Sequence, residues 1–250
     1  MYNFEGKTVF VTGSSTGIGR ATAIAFAQHG ADVIVHYNSS VQEAEEVKAE
    51  IEKCGRRSLL LSGDVSDSQQ VNRMVEEIKE EFGTIDILVN NAGSMVKRAR
   101  LEDLDEDLWD RVIDVNLKSV YLVTRATLPL LKQTKGKIIN VTSIAATNGG
   151  GSDSIAYATS KGGVSTLTKA LAKDLVEYYI NVNALSPGTI STPFHDRHTS
   201  PEKRQNAVKT IPMGREGTPE ETVGATLYLA SDYAGFVTGQ IIEVNGGQLM

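Results

Sequence analysis

The sequence predicts an α/β fold: a doubly wound, mostly parallel seven-stranded sheet with helices on both faces. Three observations predict it. Short β-branched runs alternate with amphipathic helical stretches from end to end. A glycine-rich turn joins the first strand to the first helix. No repeat, low-complexity tract or linker interrupts the alternation, and 250 residues fit one domain, 1–250.

The elements follow in order. Thr8–Thr12 (TVFVT) is a strand that runs into Gly, Ser and Thr. Ile18–His29 carries small and apolar residues at helical spacing and stops at Gly30. Asp32–His36 is the second strand, Val41–Lys53 an amphipathic helix, and Ser58–Ser62 the third strand. Ser68–Phe82 shows the clearest helical stripe: Val71, Met74, Val75, Ile78 and Phe82. Ile85–Asn90 is the fourth strand. Leu108–Leu131 reads as one long helix, with Val112, Ile113, Leu117, Val120 and Tyr121 on one side and Pro129 in its last turn. Lys137–Val141, Ile180–Leu185 and Ile241–Val244 complete the strands; Ile155–Tyr178 and Pro219–Ala230 complete the helices. Between them Thr189–Gly217 holds three prolines and mixed charge, and reads as a substrate loop or lid.

Composition narrows the function. Apolar residues make up 40% and charged residues 22%, an ordinary globular balance. Lys+Arg is 25 against 31 Asp+Glu, a net charge of −6, so no nucleic-acid partner is expected. No apolar run is long enough to span a membrane, and the first residues lack the order of a signal peptide, so a cytoplasmic location is expected. Cys54, the one cysteine, reads as a helix-end residue, and no spacing points to a metal.

The first turn is T-G-S-S-T-G-I-G-R, with Gly13, Gly17 and Gly19 between strand and helix. Glycines let the backbone approach a ligand, and the helix start beyond them offers N–H groups to a pyrophosphate. Their spacing is Gly-x-x-x-Gly-x-Gly, which departs from the commonest dinucleotide fingerprint. Further motifs stand at the ends of later strands. Asp64-Val65 follows the third, Asn90-Asn91-Ala92-Gly93 the fourth, Ser143 the fifth and Pro187-Gly188 the sixth. Tyr157 and Lys161 form Y-x-x-x-K fourteen residues after Ser143. Each motif alone is weak; the ordered set is specific.

In this arrangement the chain resembles the short-chain dehydrogenase/reductase family over essentially its whole length. The resemblance implies a Rossmann-type fold and hydride transfer between a nicotinamide and a carbonyl or secondary alcohol, the substrate being a small molecule. It places the cofactor against Gly13, Ser15, Thr16, Gly17, Ile18 and Gly19, then Tyr37 and Asn38, Asp64 and Val65, Asn91, Ala92 and Gly93, and Pro187, Gly188, Ile190 and Thr192. Tyr157 and Lys161 also touch it on this reading, and Asn116 becomes the catalytic Asn that holds a water in a proton relay. By itself Asn116 reads as a helix residue bonded to nearby backbone. The resemblance also implies a homotetramer, with the Leu108–Leu131 and Ile155–Tyr178 helices and the C-terminal strand region at interfaces.

The residues suit that chemistry. Tyr157 can donate or accept a proton, and Lys161, one helical turn on, would lower its pKa toward the working range. Ser143 can hold the carbonyl oxygen against Tyr157; otherwise it caps the Gly-rich loop that follows. The second strand ends in His36-Tyr37-Asn38-Ser39-Ser40 with no acid, which favours NADP(H), while the lack of Arg or Lys there leaves NAD(H) open. Arg20 and His36 are the nearest candidate cations.

Two segments bear on substrate. Ser94–Arg100 is locally basic, and Arg98 can pair a substrate carboxylate or simply sit in a solvated loop. His195 lies after Pro187-Gly188 in F-H-D-R-H. The stretches G-T-I-S-T-P-F-H and I-P-M-G-R-E-G-T-P-E-E, with N-A-G-x-x-V-x-R ending at Arg98, resemble family members that reduce keto-uronates and related sugar acids, including alginate-derived deoxy-hexoseulose uronate. The rival within the family is reduction of carrier-linked β-ketoacyl thioesters. A non-catalytic dinucleotide sensor is a third reading, but it has no need for Asn116, Ser143, Tyr157 and Lys161 together.

Overall fold

The computed structural model describes residues 2–250. Its strands are β1 Thr8–Val11, β2 Asp32–Tyr37, β3 Ser58–Ser62, β4 Ile87–Asn90, β5 Lys137–Val141, β6 Asn181–Pro187 and β7 Ile241–Val244. They form one sheet in the order β3-β2-β1-β4-β5-β6-β7, and every pairing is parallel. The helices are α1 Gly17–Gln28, α2 Val41–Lys53, α3 Ser68–Phe82, α4 Glu106–Ile113, α5 Ser119–Thr134, α6 Ala145–Asn148, α7 Ile155–Leu175, α8 Pro193–His198, α9 Pro201–Lys209 and α10 Pro219–Ala230.

Strand alternation divides the core. Val9, Val11, Val33, Val35 and Val89 face one side, where Phe26 of α1, Val47 and Ile51 of α2, and Leu227 of α10 cover them. Phe10, Ile34, Leu88 and Ile138 face the other, under Met74 and Ile78 of α3, Leu131 of α5 and Leu175 of α7. The chain order reverses between β1 and β4, so the loops after these strands diverge and leave a crevice. Local signals fix the ends. Asp67 caps α3 by accepting from the N–H groups of Gln69 and Gln70, and Thr218 with Glu221 forms a capping box on α10.

Two expected elements differ. The single helix Leu108–Leu131 is instead α4, a π-turn over Asp114–Lys118, and α5. The side chain of Asn116 turns back to the Val112 carbonyl (2.8 Å) and across to the Ser94 carbonyl (2.7 Å), in the wider turn it occupies. The extra residue shifts the helical phase, so Tyr121, expected on the apolar side, is 46% exposed. Pro129 lies five residues before the end of α5, and the carbonyl that loses its donor is on exposed Arg125. The second difference is the stretch Thr189–Gly217, which carries α8 and α9. Pro193 and Pro201 stand at helix starts, where a missing N–H costs nothing, and the Ser200 hydroxyl accepts from Lys203 N–H.

Candidate active site

The crevice at the strand ends is a continuous cleft of about 800 Å³. At one end lies the glycine turn between β1 and α1. A Cβ on Gly19 would stand 2.4 Å from both Asn91 Nδ2 and the Gly13 carbonyl, so only glycine lets α1 pack there. Asn91 Nδ2 donates to the carbonyls of Thr12 and Gly13 at 2.9 Å and holds the turn against the loop after β4. No side chain caps the start of α1 and no acid lies in its first turn. Those N–H groups are open to an anion, which is what a dinucleotide pyrophosphate requires.

Most of the expected cofactor residues line this cleft: Gly13, Ser15, Thr16, Gly17, Ile18, Asn38, Asp64, Val65, Asn91, Ala92, Gly93, Pro187, Gly188, Ile190 and Thr192. Gly19 acts through packing. Tyr37 turns into the core beside α1 and α2 rather than toward the cleft. Asp64 accepts from Ser66 and from Arg111 Nη2 (2.8 Å); burial opposes its charge, but these bonds hold the carboxyl below its usual range.

His36 is not a cation for a 2′-phosphate. It is 2% exposed, and burial pushes its pKa down to about 4, leaving it neutral. Arg20 is exposed on α1 near Glu50. The end of β2 therefore presents Asn38, Ser39 and Ser40 to the cleft, with neither an acid nor a cation among them.

The reactive groups meet midway. Ser143 follows β5, Tyr157 and Lys161 stand one turn apart on α7, and all three line the cleft. Lys161 is buried; its Nζ donates to the Val141 carbonyl (2.8 Å) and lies 5.8 Å from the centre of the Tyr157 ring. The Thr142 hydroxyl donates to the Lys161 carbonyl (2.8 Å), so β5 fixes the height of α7. Ser143 Oγ accepts from Ala145 N–H, the cap its sequence context allowed, and also faces the Tyr157 phenol. Asn116 is fully buried and sits behind this group. Its Oδ1 accepts from Ser94 N–H, and a Cβ on Gly93 would meet that oxygen at 2.7 Å and Lys161 Nζ at 3.3 Å. Asn116 thus bonds to nearby backbone, as its isolated reading had it, and in doing so seats Gly93 and Ser94 against Lys161.

The electrostatics differ from expectation. Burial raises the Tyr157 phenol to about 12, against the pull of Ser143 and Arg98. The same burial drives Lys161 down to about 8. In the protein alone, desolvation decides both shifts, and the opposing pull on the phenol comes from Ser143 and Arg98 rather than from Lys161.

The far end is roofed by α8 and α9. Phe194 packs on Tyr157 with ring centres 5.5 Å apart, and His195 and His198 pack on Phe194. Arg98 reaches this roof from the loop after β4. Its guanidinium bonds Asp153 Oδ1 (2.9 Å), Thr199 Oγ1 (3.1 Å) and the His198 carbonyl. Lys203 of α9 bonds the other oxygen of Asp153. Arg204 joins Asp196, Glu216 and Ser191. Arg197 lines the cleft with no ion-pair partner among the described residues. Phe194 and Arg197 belong to the F-H-D-R-H segment expected at the pocket mouth, whereas Lys203 and Asp153 escaped the sequence reading; Ser200-Pro201-Glu202, a helix-start pattern, was the signal for α9. No group of three or more His, Cys, Asp or Glu among the described residues could hold a metal.

A dinucleotide cradle at the switch point of a parallel sheet, beside a Ser, Tyr and Lys, defines an oxidoreductase that works on alcohol or carbonyl groups with NAD(P). The chain belongs to the short-chain dehydrogenase/reductase family: residues 13–248 match the family model described as enoyl-(acyl carrier protein) reductase. It is 42% identical to the 3-oxoacyl-acyl-carrier-protein reductase FabG of Thermotoga maritima, over 97% of this chain and 98% of the relative. It is also 42% identical to an L-rhamnose 1-dehydrogenase (NAD(P)(+)) of a Sphingomonas species, over 97% of this chain and 96% of that one. Among solved structures it resembles an NADH-dependent reductase responsible for alginate metabolism, with 33% identity, a TM-score of 0.91 and coverage of 99% and 98%.

Proposed function

We propose that the chain reversibly reduces the carbonyl of a small anionic sugar derivative, a sugar acid or keto-uronate, with NADP(H) in modest preference to NAD(H). The charge at the roofed end of the cleft carries the substrate reading. Arg98, Arg197, Lys203 and Arg204 line it there; Asp153 is shared by Arg98 and Lys203, Asp196 and Glu216 pair Arg204, and Arg197 has no ion-pair partner among the described residues, in a chain of net charge −6. Three of the five N–H groups of Arg98 are engaged, so the others and the free guanidinium of Arg197 are offered to a substrate carboxylate. His195 spends Nδ1 on Thr199 and keeps its other nitrogen for the substrate. The rhamnose dehydrogenase and the alginate-metabolism reductase support a sugar-derived substrate.

In this reading a bound nicotinamide supplies or accepts the hydride. Tyr157 gives a proton to the carbonyl oxygen or takes it from the alcohol. Ser143 donates a hydrogen bond to the same oxygen. Lys161 anchors the cofactor's ribose and favours the phenolate, and Asn116 holds the water that passes protons onward. The hydroxyl and amide set Asn38, Ser39 and Ser40 supports tolerance of both nucleotides, since it neither repels nor pairs a 2′-phosphate. A cytoplasmic homotetramer completes the reading, supported by the exposed Tyr121 on α5 and Phe236 before β7.

The second reading is a β-ketoacyl thioester reductase, favoured by the Thermotoga relative. One experiment separates the two: loss of reduced nicotinamide with NADPH and NADH over matched panels of keto sugar acids and β-ketoacyl thioesters. Turnover of the sugar acids is expected. Turnover of the thioesters alone would overturn the sugar-acid reading and make the basic roof a carrier-docking surface.

A further inference from the structure

His36 is the penultimate residue of β2, yet both of its ring nitrogens are committed to backbone outside that strand. Nδ1 accepts the N–H of Gly13 at 2.9 Å, and Nε2 bonds the Gly63 carbonyl at 2.9 Å. A backbone N–H can only donate and a carbonyl can only accept. The ring is therefore neutral, bare at Nδ1 and protonated at Nε2. The main chain repeats the tie. Ser14 N–H donates to the His36 carbonyl, His36 N–H donates to Ser14 Oγ (both 2.9 Å), and that hydroxyl donates to the Val11 carbonyl at 2.8 Å. One residue thus joins the glycine turn before α1 to the loop after β3, the phosphate and adenine ends of the cleft.

We propose that His36 is a positioning residue whose neutral imidazole fixes the glycine turn in its dinucleotide-binding shape. The Gly13 N–H is buried on the ring and cannot swing away, so the turn has one conformation on offer and α1 keeps its first N–H groups for the pyrophosphate. The cofactor then binds without the cost of ordering the turn. A protonated ring would set N–H against N–H at Gly13 and undo the tie. Asp64, on the loop after β3, is the charged group that favours protonation; Phe10 meets the ring edge-on at 6.5 Å, and burial prevails.

Two variants separate the ring's contacts. In His36→Asn the side-chain oxygen hangs from the same carbon as Nδ1 and can still accept from Gly13; in His36→Gln the polar end extends toward Gly63 and leaves the Gly13 N–H unpaired. Affinities are read by fluorescence titration with NADPH and with NADH, and folding by melting temperature. For His36→Gln the expected result is about a tenfold loss of affinity for both nucleotides, the cost of one unpaired buried N–H. His36→Asn should lose about threefold or less, and kcat at saturating cofactor should be unchanged in both. Equal losses in the two variants that track their melting temperatures would overturn the proposal. So would a loss confined to NADPH, which would make His36 a 2′-phosphate cation after all. If His36→Gln does not fold, pH supplies the test. Wild-type affinity for NADH should hold down to about pH 5 and fall below it, where the folded ring takes up its proton, while that of His36→Asn stays level; parallel curves would overturn the proposal.

Discussion

The glycine turn and the roof over Tyr157 close opposite ends of one cleft, and they are held by different forces. The turn is fixed by uncharged hydrogen bonds among buried and half-buried groups: Asn91 to Thr12 and Gly13, and His36 to Gly13 and Gly63. The roof is fixed by ion pairs: Arg98 and Lys203 to Asp153, and Arg204 to Asp196 and Glu216. No residue of α8 or α9 is buried. Buried neutral networks tolerate little movement, because each broken bond strands a polar group away from water. Part-exposed charge pairs, which water can reach as they separate, give up less when they part. The cofactor end is thus built before its ligand arrives, and the substrate end is built to shift.

The largest test lies where the two ends meet. Tyr157→Phe removes the proton donor and leaves the cradle untouched. Turnover should fall at least about a thousandfold, while NADPH and NADH titrations stay within about twofold of wild type. A surviving reaction would move the proton chemistry elsewhere and undo the meeting point of the comparison.

The next test breaks the rigid end. Gly19→Ala places a methyl 2.4 Å from Asn91 Nδ2 and the Gly13 carbonyl, and both are held by other bonds. Overpacking of this kind costs about 1–3 kcal/mol. Cofactor affinity should drop by about a hundredfold, and the melting temperature should fall with it. Calorimetry that found unchanged affinity would show the turn to be as adaptable as the roof.

How much of each end was legible follows from the same contrast. Gly13, Gly17 and Gly19, Asn91 and Tyr157–Lys161 announce themselves because backbone geometry or one helical turn fixes their relation. The roof did not. Arg98, Asp153 and Lys203 lie 55 and 50 residues apart in pairs, and no local pattern says which charges meet. Pro193 and Pro201 look like breakers in a run of mixed charge but begin helices. The π-turn around Asn116 hid for a different reason: periodicity assumes a constant 3.6-residue turn, and this segment violates it. His36 was visible as a residue at a strand end, but only burial reveals that it is neutral.

Acid should distinguish the ends by stability. Unfolded His36 takes up a proton near 6.5, folded His36 only near 4. Between those values the unfolded chain binds more protons, so stability falls as pH drops from 6.5 to 4, by up to about 3 kcal/mol. Asp153 stays ionised across that window: burial opposes its charge, but Lys203 and Arg98 hold its carboxyl below the usual range. The roof pairs therefore persist through the window, and the turn keeps its tie until the folded ring is protonated near 4; the decline comes from proton uptake by the unfolded chain. Urea midpoints at several pH values in this window should show the decline in wild type and a shallower one in His36→Asn. A decline equal in both would place the acid-sensitive group elsewhere.

The smallest effect is expected from the adjustable end. Asp153→Asn removes the carboxylate that Arg98 and Lys203 share, four residues before Tyr157. The pairs are part-exposed, so the melting temperature should move by only about 1–2 °C. Cofactor affinity should not change, because Asp153 touches neither the turn nor β3. The KM for the carbonyl substrate should rise about fivefold to tenfold, as α8 and α9 lose their tie to the loop that leads into α7 and Tyr157, and kcat should change less. High salt should mimic the variant in wild type and do little to Asp153→Asn. A fall in KM would reverse the assignment of force at this end. Asp153 would then be a competitor that holds Arg98 and Lys203 away from an anionic substrate, and the roof would gain more from those two cations than from its own closure.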